Sequence, residues 1–221
     1  MAIKAVAFDI DGTLYPNRRM VFHSIPFLIT HFSLVKEFNE ARKELRKLEN
    51  ISDFRKTQSE ILGKRLNITP GETAHLVEKI FYKKWENVFK RVRPYAGLQK
   101  AIEDLKARNL RLGVLSDFPV GNKLNYFSVD GHWDVAMSSE ETGYLKPHAK
   151  PFLVLAEKLG CKPEEILYVG NSYKYDVIGA SAAGMKTVYI QWQGKEVPEA
   201  DLTIRNYRHF SRKIEFLLRE E

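Results

Sequence analysis

What most constrains the fold of this chain is the alternation of strand and helix patterns from Arg93 onward. Apolar runs at 110–115, 166–169 and 186–190 close three units, whose helical segments open near Pro94, Lys150 and Tyr173. A further apolar run, Ile3-Lys4-Ala5-Val6-Ala7-Phe8, stands at the start. Short apolar runs of this kind make buried strands. Strands alternating with helices of about ten to fifteen residues predict an α/β fold, a parallel sheet with helices on both faces.

The first run ends in Asp9-Ile10-Asp11-Gly12-Thr13-Leu14. Open α/β sheets bind ligands at the carboxyl ends of their strands, so both carboxylates stand where a site is expected. Residues i and i+2 of an extended strand share a face. Asp9 and Asp11 therefore converge on one reacting centre, one suited to nucleophilic attack and the other to carrying a proton. The plainer reading of Asp and Gly after a strand is a surface turn. The remainder of the chain argues against it.

At 221 residues the chain fits one large domain or two small ones with a sizeable core. No apolar stretch approaches the length of a membrane span, and the N-terminus runs straight into a strand without a charged-then-apolar leader. Cys161 is the sole cysteine, which excludes an intrachain disulfide and makes a reducing compartment the default. Together these features predict a cytoplasmic protein with no membrane partner.

Residues 16–92 read as helical, with repeated apolar spacing. Thr69-Pro70-Gly71-Glu72 marks a helix start, with Thr as cap and Pro in the first turn. Val77, Ile80, Phe81, Trp85 and Phe89 would form one side of that amphipathic helix. Ser52-Asp53 caps another toward Leu66, and an earlier helix starts at or kinks near Pro26. The apolar residues Phe22, Ile25, Phe27, Leu28, Ile29, Phe32 and Leu34 are read first as core packing within this segment, and second as a self-association surface or pocket wall. The segment holds 16 Lys+Arg against 9 Asp+Glu, which accounts for the whole net charge of +7. A solvated helical face explains that excess, and a lid attractive to anions is the sharper alternative. The basic residues are interspersed with acids, and zinc-finger spacing is absent, so nucleic acid is not an expected partner. Neither G-x-G-x-x-G nor a P-loop occurs. His23 and His31 lack ligand spacing, and Trp133 and Trp192 read as packed or near-surface aromatics.

Asp-x-Asp-Gly-Thr-Leu after an N-terminal strand resembles the first motif of the haloacid dehalogenase-like (HAD) hydrolase superfamily. Candidates for its other three motifs follow in order: Ser116 ending an apolar strand, Lys146 in Gly143-Tyr144-Leu145-Lys146-Pro147, and Asn171 with Asp176 after Val169-Gly170. The resemblance runs from residue 3 to about 189. It implies a Rossmann-like core at 1–15 and 93–221, with a small all-helical C1 cap inserted after the first strand at 16–92. It further implies a magnesium-dependent phosphatase acting on a small phosphorylated metabolite. In that reading Asp9 attacks phosphorus and forms an aspartyl-phosphate, while Asp11 protonates the leaving oxygen and then activates water. An acid at position 11 argues against dehalogenation, which has no leaving alkoxide to protonate.

By the same resemblance Gly12, Thr13, Ser116, Asp117 and Lys146 hold the phosphate. Mg²⁺ is held by Asp9, the Asp11 carbonyl, Asn171 and Asp176. The family's usual first acid in the fourth motif is replaced here by Asn171, which removes one negative charge, although an amide oxygen is still a hard ligand. That substitution keeps a non-catalytic phospho-ligand binder open as an alternative, and a phosphomutase is another. Tyr15-Pro16 resembles a subset of the family that includes nucleotidases, which makes a nucleotide one candidate substrate. A monomer and a homodimer are equally compatible with the sequence.

Overall fold

The computed structural model describes residues 2–219. Six strands form one all-parallel sheet: β1 (Ala5–Phe8), β2 (Arg111–Ser116), β3 (Val135–Ser138), β4 (Ile166–Gly170), β5 (Lys186–Ile190) and β6 (Leu202–Ile204). Their order is β3-β2-β1-β4-β5-β6, so β1 lies between β2 and β4. The strand order reverses at β1, and a crevice opens at such a switch point. β3 and β6, short and at the two edges, are additions to the strands read from the sequence.

The side chains of each strand alternate between two cores. Val6, Phe8, Leu112, Val114, Leu167 and Val169 face one side. There they meet Leu98, Ile102 and Leu105 of α5 (Leu98–Ala107) and the C-terminal residues Phe210, Ile214 and Leu217. Ala5, Ala7, Leu115, Ile166 and Tyr168 face the other side, against Phe152, Leu155 and Leu159 of α7 (Ala149–Leu159). The sheet is thus covered by helices on both faces, as the unbroken apolar strands require.

Between β1 and α5 the chain is wholly helical: α1 (Asn17–Thr30), α2 (Phe32–Leu45), α3 (Phe54–Leu66) and α4 (Pro70–Leu76), continued by π turns over Val77–Lys84 and 3₁₀ turns over Glu86–Arg91. Asp53 caps α3 by accepting from Lys56 N at 3.0 Å, and Thr69 with Glu72 forms a capping box. The insert has its own core, where Phe38 stacks on Phe81 at 3.7 Å and Leu62 and Val77 close around them.

Two expectations for the insert need correction, and one is narrowed. The helix from Thr69 does not stay α to Phe89: it is α over Pro70–Leu76, π over Val77–Lys84 and 3₁₀ over Glu86–Arg91, with Val77 and Phe81 buried in the core of the insert. Of the two readings for Pro26, a start is excluded, since α1 runs through it from Asn17 to Thr30. Of the apolar side chains at 22–34, only Phe27 is buried, stacked on Trp85, while Phe22, Ile25, Ile29 and Phe32 are exposed. One stripe of α1 suffices to pack on the π turns, so the excess apolar surface stays on the outer side. Trp192 is also exposed, whereas Trp133 packs edge-on against Phe8.

Candidate active site

The site forms where β1 ends between its two neighbours. Asp9 N donates to Val169 O at 2.9 Å, continuing the β1–β4 pairing by one residue and fixing the carboxylate at the strand tip. The chain then folds into a tight turn, with Thr13 N and Leu14 N both donating to Ile10 O. Gly12 takes φ +95° in this turn, and a Cβ there would overlap the Asn171 and Asn17 amides. Only glycine meets both demands.

Asp9 is buried. Its Oδ1 accepts from Lys146 Nζ at 2.9 Å and its Oδ2 from Thr13 Oγ1 at 2.8 Å. Lys146 also reaches Asp176 Oδ1 at 2.6 Å, Tyr168 Oη at 3.3 Å and Leu115 O at 3.3 Å. Burial pushes the Asp9 carboxyl up to about 7, against the pull of Lys146 and with the added push of Asp176 and Asp11. For Lys146 burial acts downward, but the carboxylates of Asp176 and Asp9 outweigh it and hold the ammonium well above its usual range. Asp176 is fully engaged, since its Oδ2 accepts from Ser172 N at 2.9 Å.

Asp11 turns elsewhere. Its carboxylate accepts from Tyr15 Oη at 2.8 Å, Ser116 Oγ at 3.2 Å, and Lys123 Nζ at 2.8 and 3.0 Å to its two oxygens. Lys123 opens the short helix α6 (Lys123–Tyr126) and is 6 % exposed, its ammonium between the rings of Phe89 and Phe118. Burial and the adjacent Asp11 charge keep the Tyr15 phenol protonated, well above its ordinary range.

The residues read from the sequence therefore separate into groups. Asp9, Thr13, Lys146, Asn171 and Asp176 meet at the β1–β4 crevice, and Asp11 meets Ser116 beside it. The Asp117 carboxylate instead accepts from Ser139 Oγ at 2.7 Å and Lys146 N at 3.2 Å and pairs with Arg46, so it braces the Lys146 loop. Against the upward push of burial, Lys146, Arg46 and Arg42 hold Asp117 below the usual carboxylate range.

Arg42 and Arg46 of α2 were not identified from the sequence, and they tie the helical insert to these loops. Arg42, 2 % exposed, pairs with Glu140, donates to Asp117 O at 2.5 Å and lies over Phe118. Arg46 donates to Lys146 O at 3.1 Å and stacks on Tyr175. The available signal was a cation at 42 on the same helical stripe as Phe38, Ala41 and Leu45. Lys123 and Tyr168 were missed as well; a tyrosine inside an otherwise aliphatic strand was the only mark of the latter.

The donors near Asp9 suit a hard cation. Asn171 Oδ1 and Asp9 Oδ2 are bridged by the Thr13 hydroxyl at 3.2 and 2.8 Å, so a carboxylate and an amide oxygen face one small space. Among the described residues no group of three His, Cys, Asp or Glu side chains is gathered for a metal. A cation here would rest on the Asp9 carboxylate, an amide and backbone oxygen, and its charge would offset the burial of Asp9.

This arrangement, a buried carboxylate at a strand tip with a lysine and a second carboxylate two residues on, defines a class of hydrolase. Residues 6–190 match the haloacid dehalogenase-like hydrolase family, and the chain belongs to it. It is 29 % identical over 206 residues to a glyceraldehyde 3-phosphate phosphatase of Methanothermobacter thermautotrophicus, covering 90 % of this chain and 89 % of that one. It is 29 % identical over 198 residues to a phosphoglycolate phosphatase of Mannheimia succiniciproducens, with 84 % of each covered. Its fold is that of a HAD phosphatase from Thermococcus onnurineus, with a TM-score of 0.64 at 23 % identity over 96 % of this chain and 98 % of the other. No helix among the described residues is long and apolar enough to cross a membrane.

Proposed function

We propose that the protein is a magnesium-dependent phosphatase that hydrolyses a small phosphate monoester through an aspartyl-phosphate on Asp9, in the cytoplasm. The observation that carries this reading is the setting of Asp9, clamped by Lys146 and Thr13 with Asp11 two residues away on a different set of partners. Asp9 Oδ attacks phosphorus, the P–O ester bond breaks, and Asp11 delivers a proton to the departing oxygen. Asp11 then takes a proton from water as that water attacks the aspartyl-phosphate. The Asp9–phosphorus bond breaks, releasing inorganic phosphate and restoring Asp9. Lys146 holds Asp9 in line and opposes charge building on the phosphoryl oxygens, and Ser116 and the turn at Gly12 and Thr13 complete the cradle. Mg²⁺, held by Asp9, the Asp11 carbonyl and Asn171 and supported by Asp176, would supply further charge neutralisation. The helical insert at 16–92 serves as the cap that closes over the site and excludes water.

Phosphate release from small esters, with magnesium and with a chelator, tests this. Release is expected only with metal, and Asp9→Asn is expected to remove at least about 10⁴-fold of turnover while circular dichroism stays unchanged. An Asp9→Asn protein with normal turnover would rule out the aspartyl-phosphate.

A further inference from the structure

A cavity of about 90 Å³ opens between the insert and the core, with the Asp11 carboxylate in its wall. Its walls are largely aromatic: Tyr15, Phe81, Tyr82, Trp85, Phe89 and Phe118 all border it. Most of the polar groups these and neighbouring side chains carry are turned to partners within the protein. Tyr82 Oη donates to Glu140 at 3.0 Å and accepts from Gln58 Nε2 at 3.0 Å, and burial first, then the Glu140 charge, keeps it a protonated phenol. Trp85 Nε1 donates to Ser24 Oγ at 3.1 Å, and Glu86 Oε1 accepts from Asn122 N at 2.6 Å. Tyr15 Oη and Lys123 Nζ are both spent on Asp11. Pro119, also in the wall, has no backbone donor.

Asp11 is the group that meets the leaving oxygen, so the part of the substrate beyond that oxygen enters the space Asp11 faces. A wider groove of about 830 Å³ lies on the far side of Gly12, bordered by Asn171 and Arg205, but Asp11 does not line it. Resting on the phosphatase reading, we infer that the substrate class is the monophosphate of a compact, apolar alcohol, a short alkyl chain or at most one ring. Hydroxyls of a sugar or of glycerol would enter a largely aromatic wall whose side-chain donors are already committed, so their oxygens would lack donors, with the second Glu86 carboxylate oxygen left to take one hydroxyl proton. A nucleoside brings several hydroxyls and a polar base to this aromatic wall, which argues against the nucleotide suggested by Tyr15-Pro16.

The experiment compares kcat/KM for n-propyl phosphate, glycerol 3-phosphate, phosphoglycolate and a nucleoside 5′-monophosphate, with acetyl phosphate as a phosphoryl donor that makes little demand on the cavity. Glycerol is intrinsically the better leaving group of the first two, so a preference for propyl reports the cavity. The expected result is propyl phosphate favoured at least tenfold over each of the other three esters. Met20 also lines the cavity, and Met20→Gln, a near-isosteric change that places an amide in the wall, is expected to shrink the propyl-to-glycerol ratio severalfold. Turnover of acetyl phosphate with glycerol 3-phosphate or phosphoglycolate equal to or better than propyl phosphate would overturn the inference and leave the phosphatase standing. Absence of phosphate release from all of them, acetyl phosphate included, would overturn both.

Discussion

Asp9 and Asp11 sit two residues apart at one strand end, each within 3 Å of a lysine, yet the two pairs are built differently. Lys146 lies between two carboxylates, Asp9 and Asp176, with the Tyr168 hydroxyl and a backbone carbonyl completing its shell, and all of these side chains are buried. Lys123 serves Asp11 alone, and Asp11 keeps part of its surface open, its side chain at 23 % exposure against 6 % for Asp9. The first pair is a fixed arrangement, in which no member can leave without stranding another. The second lets its carboxylate face a cavity. In the proposed reaction the first kind of support suits Asp9 as nucleophile and the second suits Asp11 as proton carrier, which must exchange protons with both leaving oxygen and water.

The sharpest way to break the contrast is Lys146→Met. It fills nearly the same space but leaves the buried Asp9 and Asp176 carboxylates without a cation. Removing one member of a buried ion pair costs about 3–5 kcal/mol, so a clear fall in the urea midpoint is expected together with loss of phosphate release. Lys123→Met removes a cation from a single, partly open carboxylate and is expected to cost less than half as much stability. Equal losses in parallel urea titrations would show that the two lysines do the same structural job.

The second prediction separates the two acids in time. With Asp11→Asn, Asp9 keeps Lys146 and Thr13, but neither the leaving oxygen nor the attacking water has its proton partner. Turnover is expected to fall on the order of 10²–10⁴-fold. With acetyl phosphate, whose leaving group needs little protonation, phosphoenzyme should accumulate, visible by mass spectrometry as protein carrying one phosphoryl group. An Asp11→Asn protein that hydrolyses acetyl phosphate without building up that species would remove Asp11 from the second step.

These contrasts also mark what a sequence can and cannot show. The strand tips were legible because the signal is local: an apolar run followed at once by Asp9, Ser116 or Asn171. Lys146 was legible through its immediate neighbours Gly143 and Pro147. Lys123 was not, since its partner lies 112 positions away and nothing beside it sets it apart from a solvated lysine. Arg42 and Glu140 are 98 positions apart, and their pairing depends on how α2 docks against the core. The outer side of α1 failed in the opposite way. Its apolar density suggested burial, but a helix needs only one stripe, and Phe22 and Ile29 remain at 68 and 74 % exposure.

The smallest expected effect concerns Asn171, whose amide oxygen shares the Thr13 hydroxyl with Asp9. Asn171→Asp places a new negative charge beside a buried carboxyl already pushed up to about 7, chiefly by burial. Without a cation the two carboxylates repel, so the melting temperature in chelator should drop by a few degrees, the change of about 1 kcal/mol for a domain of this size. With magnesium the same pair gains a stronger ligand set, so the gap between melting temperatures with and without metal should widen. The magnesium concentration for half-maximal phosphate release should fall in step. Both shifts must appear together if Asn171 holds the ion. A lower melting temperature in chelator with an unchanged magnesium dependence would mean that the charge is felt by Asp9 alone, and would move the metal toward Asp176.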